Sequence, residues 1–189
     1  MRAFFTFLFL NFLEKVKRFY QKSTKSVFFR FYYGFNFYTI IFTFMEIQVI
    51  PIEFATPEYD EMVRLRYRVL REPLGLDYTP EQLATEYSDT LLVAFDTQQN
   101  LCACLIFTPQ SAELLKMRQV AVAPEYQKKG IGQQLVAESE RWARQNGYSK
   151  IVLNARENAI PFYEKLKYDV TNDWFQEINI PHKTMIKSL

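Results

Sequence analysis

The segment Met117-Arg-Gln-Val-Ala-Val-Ala-Pro-Glu-Tyr-Gln-Lys-Lys-Gly-Ile-Gly-Gln-Gln-Leu-Val136 reads as a strand, a loop and a helix in succession. The apolar run Val120-Ala121-Val122-Ala123 is stopped by Pro124, which has no N–H for a sheet ladder and turns the chain. Beyond Gln127-Lys128-Lys129-Gly130-Ile131-Gly132 the pattern becomes helical. Ile131, Leu135, Val136, Ser139 and Trp142 share one face, with Gln134, Glu138, Arg141 and Arg144 mostly on the other. Gly130 and Gly132 remove Cβ atoms where a ligand would approach the backbone, and the first-turn N–H groups are left free to face it. A helix N-terminus carries roughly half a positive charge, so pyrophosphate oxygens are favoured there, and Lys128 and Lys129 add mobile cations. Spacing excludes two other phosphate loops: Walker A needs Gly-Lys-Ser/Thr, and the dinucleotide fingerprint needs a third Gly where Leu135 stands.

Val122-Ala-Pro124-Glu-Tyr126-Gln127-Lys-Lys-Gly130-Ile-Gly132 resembles motif A of the GCN5-related N-acetyltransferases, a hydrophobic strand, Val-x-Pro-x-Tyr/Phe, Arg/Gln-x-x-Gly-x-Gly/Ala and a helix. At the distance the family keeps, Ala159-Ile-Pro-Phe-Tyr163-Glu-Lys-Leu-Lys-Tyr168 resembles motif B. The resemblance covers roughly Glu46 to Leu189. It implies an α/β (α+β) fold, a mixed, mostly antiparallel sheet of six to seven strands flanked by about four helices.

Composition divides the chain. Residues 1–44 are crowded with Phe, Tyr, Lys, Asn, Thr and Ser, and Glu14 is their only acid; they hold seven Lys or Arg. The remainder carries 16 basic and 20 acidic side chains, so the small positive total belongs to the N-terminal stretch and gives no support to a nucleic-acid partner. Three readings of that stretch stand side by side. As a membrane anchor, Ala3–Leu13 is too short, and Val27–Phe44 is marginal against the roughly 20 residues a span needs and is interrupted by Arg30. As a secretory signal it lacks a small-residue cleavage site. As translated upstream sequence it fits the residues that AT-rich codons encode, and Met45 then becomes the start of the folded domain. The expected organisation is an extension over 1–44 outside the fold and an acetyltransferase domain over 45–189.

Element order can be read coarsely. Glu46–Phe54 alternates as a strand, and Thr56-Pro57 caps a helix with Met62, Leu65, Val69 and Leu70 inward, ended by Pro73. Thr79-Pro80-Glu81-Gln82 caps a short second helix. Leu91–Phe95 and Leu101–Phe107 form a hairpin around Asp96–Asn100. Leu114–Val122 is the strand before the loop, and the helix from Gly130 stops at Gly147. Ile151–Asn154 is a strand, Asn158–Lys165 a helix, and Tyr168–Ile178 with Thr184–Lys187 a closing antiparallel pair.

The resemblance implies a mechanism. In the family the strand before motif A carries a bulge and splays from its neighbour, so Val120, Ala121 and Val122 would meet the pantetheine arm, with the Val122 N–H polarising the thioester carbonyl of acetyl-CoA. Gln127, Lys128, Lys129, Gly130, Ile131 and Gly132 would hold the pyrophosphate. Tyr163 matches the tyrosine placed beside the sulfur, where a phenol can protonate the departing thiolate. Arg156 stands where the family commonly has Asn, in reach of a CoA phosphate. Lys167 replaces the usual Gly, which predicts a different local backbone there.

No general base is evident. His182, in Asn179-Ile-Pro-His-Lys183 between two strands, is a candidate base or substrate contact. Arg66, Arg68 and Arg71 are either an exposed charged helix face or contacts for an anionic acceptor, and Glu113 and Arg118 are similarly open. Cys102 and Cys104 point to one face of a strand, form no disulfide or zinc pattern, and read as reduced packing residues. The implied protein is a cytoplasmic acetyl-CoA-dependent transferase acting on a small-molecule or peptide amine by direct attack in a ternary complex, with no metal. A homodimer is one assembly the resemblance allows. The alternative is a non-catalytic acyl-CoA-binding module, membrane-tethered through residues 1–44. The loops from Leu70 to Tyr87 and from Asp173 to Lys183 would shape the acceptor site.

Overall fold

The structure, a computed structural model, describes residues 28–33, 36–41 and 46–189. The chain divides between Glu46 and Ile47 into two units. In the first, β1 (Phe28–Tyr33) and β2 (Asn36–Ile41) pair antiparallel, with Phe28 opposite Ile41 and Tyr33 opposite Asn36. Their aromatic and β-branched residues suit a pleated ladder. The Ala3–Leu13 run and the junction at Met45 lie outside the described residues. Among the described residues no helix is long and apolar enough to cross a membrane.

The second unit is a single sheet with helices on both faces. It opens with β3 (Gln48–Ile52) and α1 (Pro57–Arg66), which continues through a π turn (Tyr67–Arg71) and a 3-10 turn (Glu72–Leu74). A short α2 (Pro80–Ala84) and a 3-10 turn (Thr85–Ser88) lead into β4 (Thr90–Phe95), β5 (Leu101–Pro109) and β6 (Leu114–Val122). After a 3-10 turn at Pro124–Tyr126 come α3 (Ile131–Gln145), β7 (Lys150–Arg156) and α4 (Ile160–Lys165). The chain closes with β8 (Asp169–Val170), β9 (Phe175–Glu177) and β10 (Ile180–Ser188). The strand order is β3-β4-β5-β6-β7-β10-β8, with β9 on β10, and only β6 and β7 run parallel. This is the mixed, mostly antiparallel fold expected, with one strand more.

Local chemistry accounts for the boundaries. The Thr56 hydroxyl accepts the Tyr59 N–H at the start of α1, and Thr79 and Gln82 form a capping box on α2. Helix α3 ends with Gly147 at φ 87°, where Gly147 N–H donates to Arg144 and Tyr148 N–H to Ala143, a Schellman closure. Tyr59, Met62 and Leu65 of α1 pack on Leu91, Val93, Cys104, Ile106 and Ala121 of the sheet. On the other face Trp142 of α3 stacks on Phe107 at 6.0 Å between ring centroids. Each such fully buried apolar side chain contributes roughly 1.5–3 kcal/mol by leaving water.

One expectation fails at the C-terminus. The strand expected over Tyr168–Ile178 is two short pieces, because the Asn172 side chain takes the Thr184 N–H at 2.6 Å and replaces the ladder bond that would extend β8. The chain then returns through Ile178 and Asn179, both at positive φ, the two-residue turn whose twist matches a hairpin. Strand β10 therefore begins at Ile180 rather than Thr184, and His182 lies inside it rather than between strands.

Candidate active site

Strands β6 and β7 pair only from Leu114 to Met117 and from Lys150 to Leu153, although β6 continues to Val122 and β7 to Arg156. Beyond Met117 the two separate, while β6 stays on β5 through a bulge. Ile106 faces Arg118 and Cys104 faces Ala121, so β6 spends one extra residue, and Gln119 takes φ 57°. The Ala123 N–H donates to the Cys102 carbonyl at 2.9 Å. Successive N–H groups of a strand alternate edges, so the Val122 N–H and C=O face the gap. The Val122 carbonyl is taken by the Gln127 side-chain amide at 3.0 Å, which folds the loop back over the strand end.

The loop beyond it presents unpaired donors. Gly130 sits at φ 84° as the N-cap of α3 with no side-chain cap, which leaves the N–H groups of Ile131, Gly132 and Gln133 without intrahelical acceptors. Lys128 is also left-handed, at φ 59°. The Gln134 amide nitrogen beside Gly130 is buried with no partner. Unpaired donors converging on a helix N-terminus fit the pyrophosphate of acetyl-CoA. A Cβ on Gly132 would lie 3.5 Å from Val122 Cγ2 and Phe162 Cζ, an ordinary contact distance, so this position faces the end of β6 and α4.

Tyr163, next to Phe162 with the two rings edge-on at 5.0 Å, is 7% exposed. Burial alone pushes its phenol well above the usual value, so it carries its proton at neutral pH. Arg156 does not extend freely to solvent: its Nη2 donates to the Leu70 carbonyl at 3.3 Å, at the π turn after α1. His182, 5% exposed, is the cross-strand partner of Arg156, and its Nδ1 lies 2.8 Å from the Ile180 carbonyl. Donation to that carbonyl fixes the tautomer and leaves Nε2 as the acceptor.

The three arginines of the first helix separate. Arg66 is fully buried, paired through both Nη atoms with Glu86 at 2.9 Å, and Glu86 also accepts the Tyr59 hydroxyl. Arg66 therefore belongs neither to an exposed face nor to an acceptor contact. Arg68 pairs with Glu125 at the surface. Arg71 stacks over the Tyr78 ring at 4.7 Å. Arg118 pairs with Asp89. Cys102 and Cys104 are fully buried, and burial raises their thiols to about 11 and about 12, so neither is a thiolate poised to carry an acyl group.

Sequence reasoning missed three residues. Tyr78 donates to Gln119 Oε1 at 2.9 Å, tying the α1–α2 loop to the bulge. Asp96 accepts from Gln98 N, Asn100 N and the Tyr126 hydroxyl, the last at 2.6 Å, and so pins the turn that leads into the anion loop. The hydrogen bond from Tyr126 is the main cause that lowers its carboxyl to about 2. The spacing Asp96-x-x-x-Asn100 marked a turn but gave no sign of a partner thirty residues away.

Comparison with known proteins agrees with this fold. The model of the acetyltransferase (GNAT) family matches residues 56–168. The uncharacterized protein YyaT of Bacillus subtilis is 26% identical over 106 residues, which cover 50% of this chain and 72% of that protein. Among solved structures, an N-acetyltransferase candidate from Lactobacillus plantarum superposes with a TM-score of 0.67 at 25% identity, over 76% of this chain and 98% of that one. A GNAT family acetyltransferase from Elizabethkingia anophelis, solved with acetyl-CoA bound, superposes with a TM-score of 0.59 at 21% identity and the same coverages.

Proposed function

Because the chain belongs to the acetyltransferase (GNAT) family of acetyl-CoA-dependent N-acetyltransferases, we propose that it passes the acetyl group to a primary amine by direct attack in a ternary complex. The observation that carries this reading is the open edge of β6. There the Val122 N–H faces the gap left by β7, and the Val122 side chain lies beside Gly132 in the uncapped first turn of α3.

Pyrophosphate oxygens would be held by the N–H groups of Ile131 and Gly132, with Lys128 and Lys129 adding charge and Gln127 holding the loop. Val120, Ala121 and Val122 would line the pantetheine arm. The Val122 N–H would polarise the thioester carbonyl and stabilise the oxyanion formed when the amine nitrogen bonds to carbon, which is usually the largest electrostatic contribution to acyl transfer. When the C–S bond breaks, the thiolate takes the Tyr163 proton. Burial raises the phenol, so Tyr163 keeps its proton until the thiolate forms beside it. His182 Nε2 is the candidate acceptor of the ammonium proton. The acetyl-CoA bound in the Elizabethkingia structure supports the co-substrate.

The test is calorimetric titration of acetyl-CoA into the full chain, followed by CoA release with a panel of amines. Micromolar binding and amine-dependent release are expected. A folded protein that does not bind acetyl-CoA would refute the reading.

A further inference from the structure

On the α1 side of the gap two guanidinium groups converge from distant segments. Arg71 ends the π turn, its guanidinium carbon over the Tyr78 ring, whose hydroxyl is fixed on Gln119 at the bulge. Arg156 ends β7 and reaches the Leu70 carbonyl, one residue from Arg71. Both side chains are half-buried, and neither forms an ion pair among the described residues. Glu177, the carboxylate that acts on Arg156, is engaged by the Asn154 amide at 2.8 Å. Burial first, and the charge of Arg71 second, hold the Arg156 guanidinium below its usual value. Two like charges held close, one over the Tyr78 ring and one on the Leu70 carbonyl, are costly unless an anion completes the site.

We infer that Arg71 and Arg156 form a carboxylate clamp for the acceptor, so that the substrate class is amines bearing a carboxylate, amino acids or their close analogues. This rests on the transferase reading above. A carboxylate is favoured because two guanidinium forks accept a planar two-oxygen group with parallel hydrogen bonds. The position also suits it. The clamp lies at the end of β7 beside His182, so an anion held there would point the amine of a small substrate toward the gap where Val122 lies.

The experiment measures CoA release by the full chain with matched pairs that differ only in the carboxylate: L-tyrosine and tyramine, L-histidine and histamine, L-lysine and cadaverine. The acid of at least one pair should be used with a KM about tenfold lower than its amine. Arg71→Ala and Arg156→Ala should each raise that KM about tenfold and leave the KM for acetyl-CoA unchanged, with Arg71→Lys and Arg156→Lys recovering part of the loss. Equal or better use of the decarboxylated amines overturns the inference, as does a rise in the KM for acetyl-CoA, which would assign the pair to the cofactor. A second measurement needs no turnover. Saturation-transfer NMR with N-acetyl-L-tyrosine and N-acetyltyramine should show the acid bound to the wild type, lost in both alanine variants, and not displaced by millimolar phosphate. No binding of the acid, or its displacement by phosphate, sinks the clamp. Failure of the transferase reading looks different: no acetyl-CoA binding and no CoA release with any amine.

Discussion

The two sides of the gap between β6 and β7 are made of different material. On the side proposed for the co-substrate the candidate groups are backbone N–H donors, from Val122 and the first turn of α3, presented by one continuous stretch from Val120 to Gly132. On the side proposed for the acceptor they are side chains, Arg71, Tyr78, Arg156 and His182, brought together from four separate places in the chain. Backbone donors are insensitive to most substitutions, whereas converging side chains are held only by whatever packs beneath them. The first side should tolerate change except where its φ angles are demanding, and the second should depend on its supports.

The severest break should come from the support under the acceptor side. Glu86→Ala leaves the buried Arg66 guanidinium without its partner, and such loss typically costs about 3–5 kcal/mol. Chemical denaturation should show that loss, and the double variant Arg66→Met with Glu86→Leu should regain most of it, because an apolar pair replaces the ion pair with no orphan charge. A double variant as unstable as the single one would mean the pair does more than hold α1 on its neighbour.

Tyr163→Phe comes next. Removing a positioned acid typically lowers turnover about a hundredfold, and here the acetyl-CoA affinity should stay the same because the backbone donors are untouched. Equal turnover would return Tyr163 to the role of a packed aromatic on Phe162 and Tyr168.

A smaller loss is expected where the backbone side is vulnerable. Gly130→Val forces a β-branched residue to φ 84°, at a cost of about 1–2 kcal/mol, and acetyl-CoA binding should weaken about tenfold. Gly132→Ala is the control: its Cβ would make ordinary contacts at 3.5 Å, so affinity should hardly move. Acid should act on the same side through Asp96. Its folded carboxyl is depressed to about 2, below the unfolded value of about 3.9, so its contribution is intact above pH 4 and is lost as the pH falls toward 2. Asp96→Asn should flatten that acid limb in a stability profile.

The same division explains what could be read from the sequence. Val122, Pro124, Gly130 and the helix after them lie within one window, where alternation, a breaker and helical spacing decide each step, and the structure keeps all of them. The acceptor side is a tertiary product. Arg66 and Arg71 look alike on a helical pattern, yet one is sealed against Glu86 and the other stacks on Tyr78, because the chain leaves the α-helical path at Tyr67 and the π turn rotates the residues from there to Arg71. His182 lies inside β10 for a local reason, since the chain turns at Ile178 and Asn179 and β10 pairs with β9 from Ile180 onward.

The smallest effect joins the two sides at Tyr163. Helices α3 and α4 end in the same closure, but α3 places Gly147 at the left-handed position and α4 places Lys167, at φ 69°. The sequence predicted that a lysine there would change the local backbone; instead the turn is kept. Lys167 N–H donates to Glu164 and Tyr168 N–H to the Tyr163 carbonyl, so the closure fixes the residue assigned as the acid. A left-handed lysine costs about 1–2 kcal/mol, and glycine gives back part of any gain through the greater entropy of its unfolded chain. Lys167→Gly should therefore stabilise by about 0.5–1 kcal/mol and raise Tm by about 1–3 °C, with turnover unchanged. A gain in stability accompanied by a fall in turnover would show that the strained turn aims the Tyr163 hydroxyl, and the proposed acid would then depend on the left-handed lysine that closes α4.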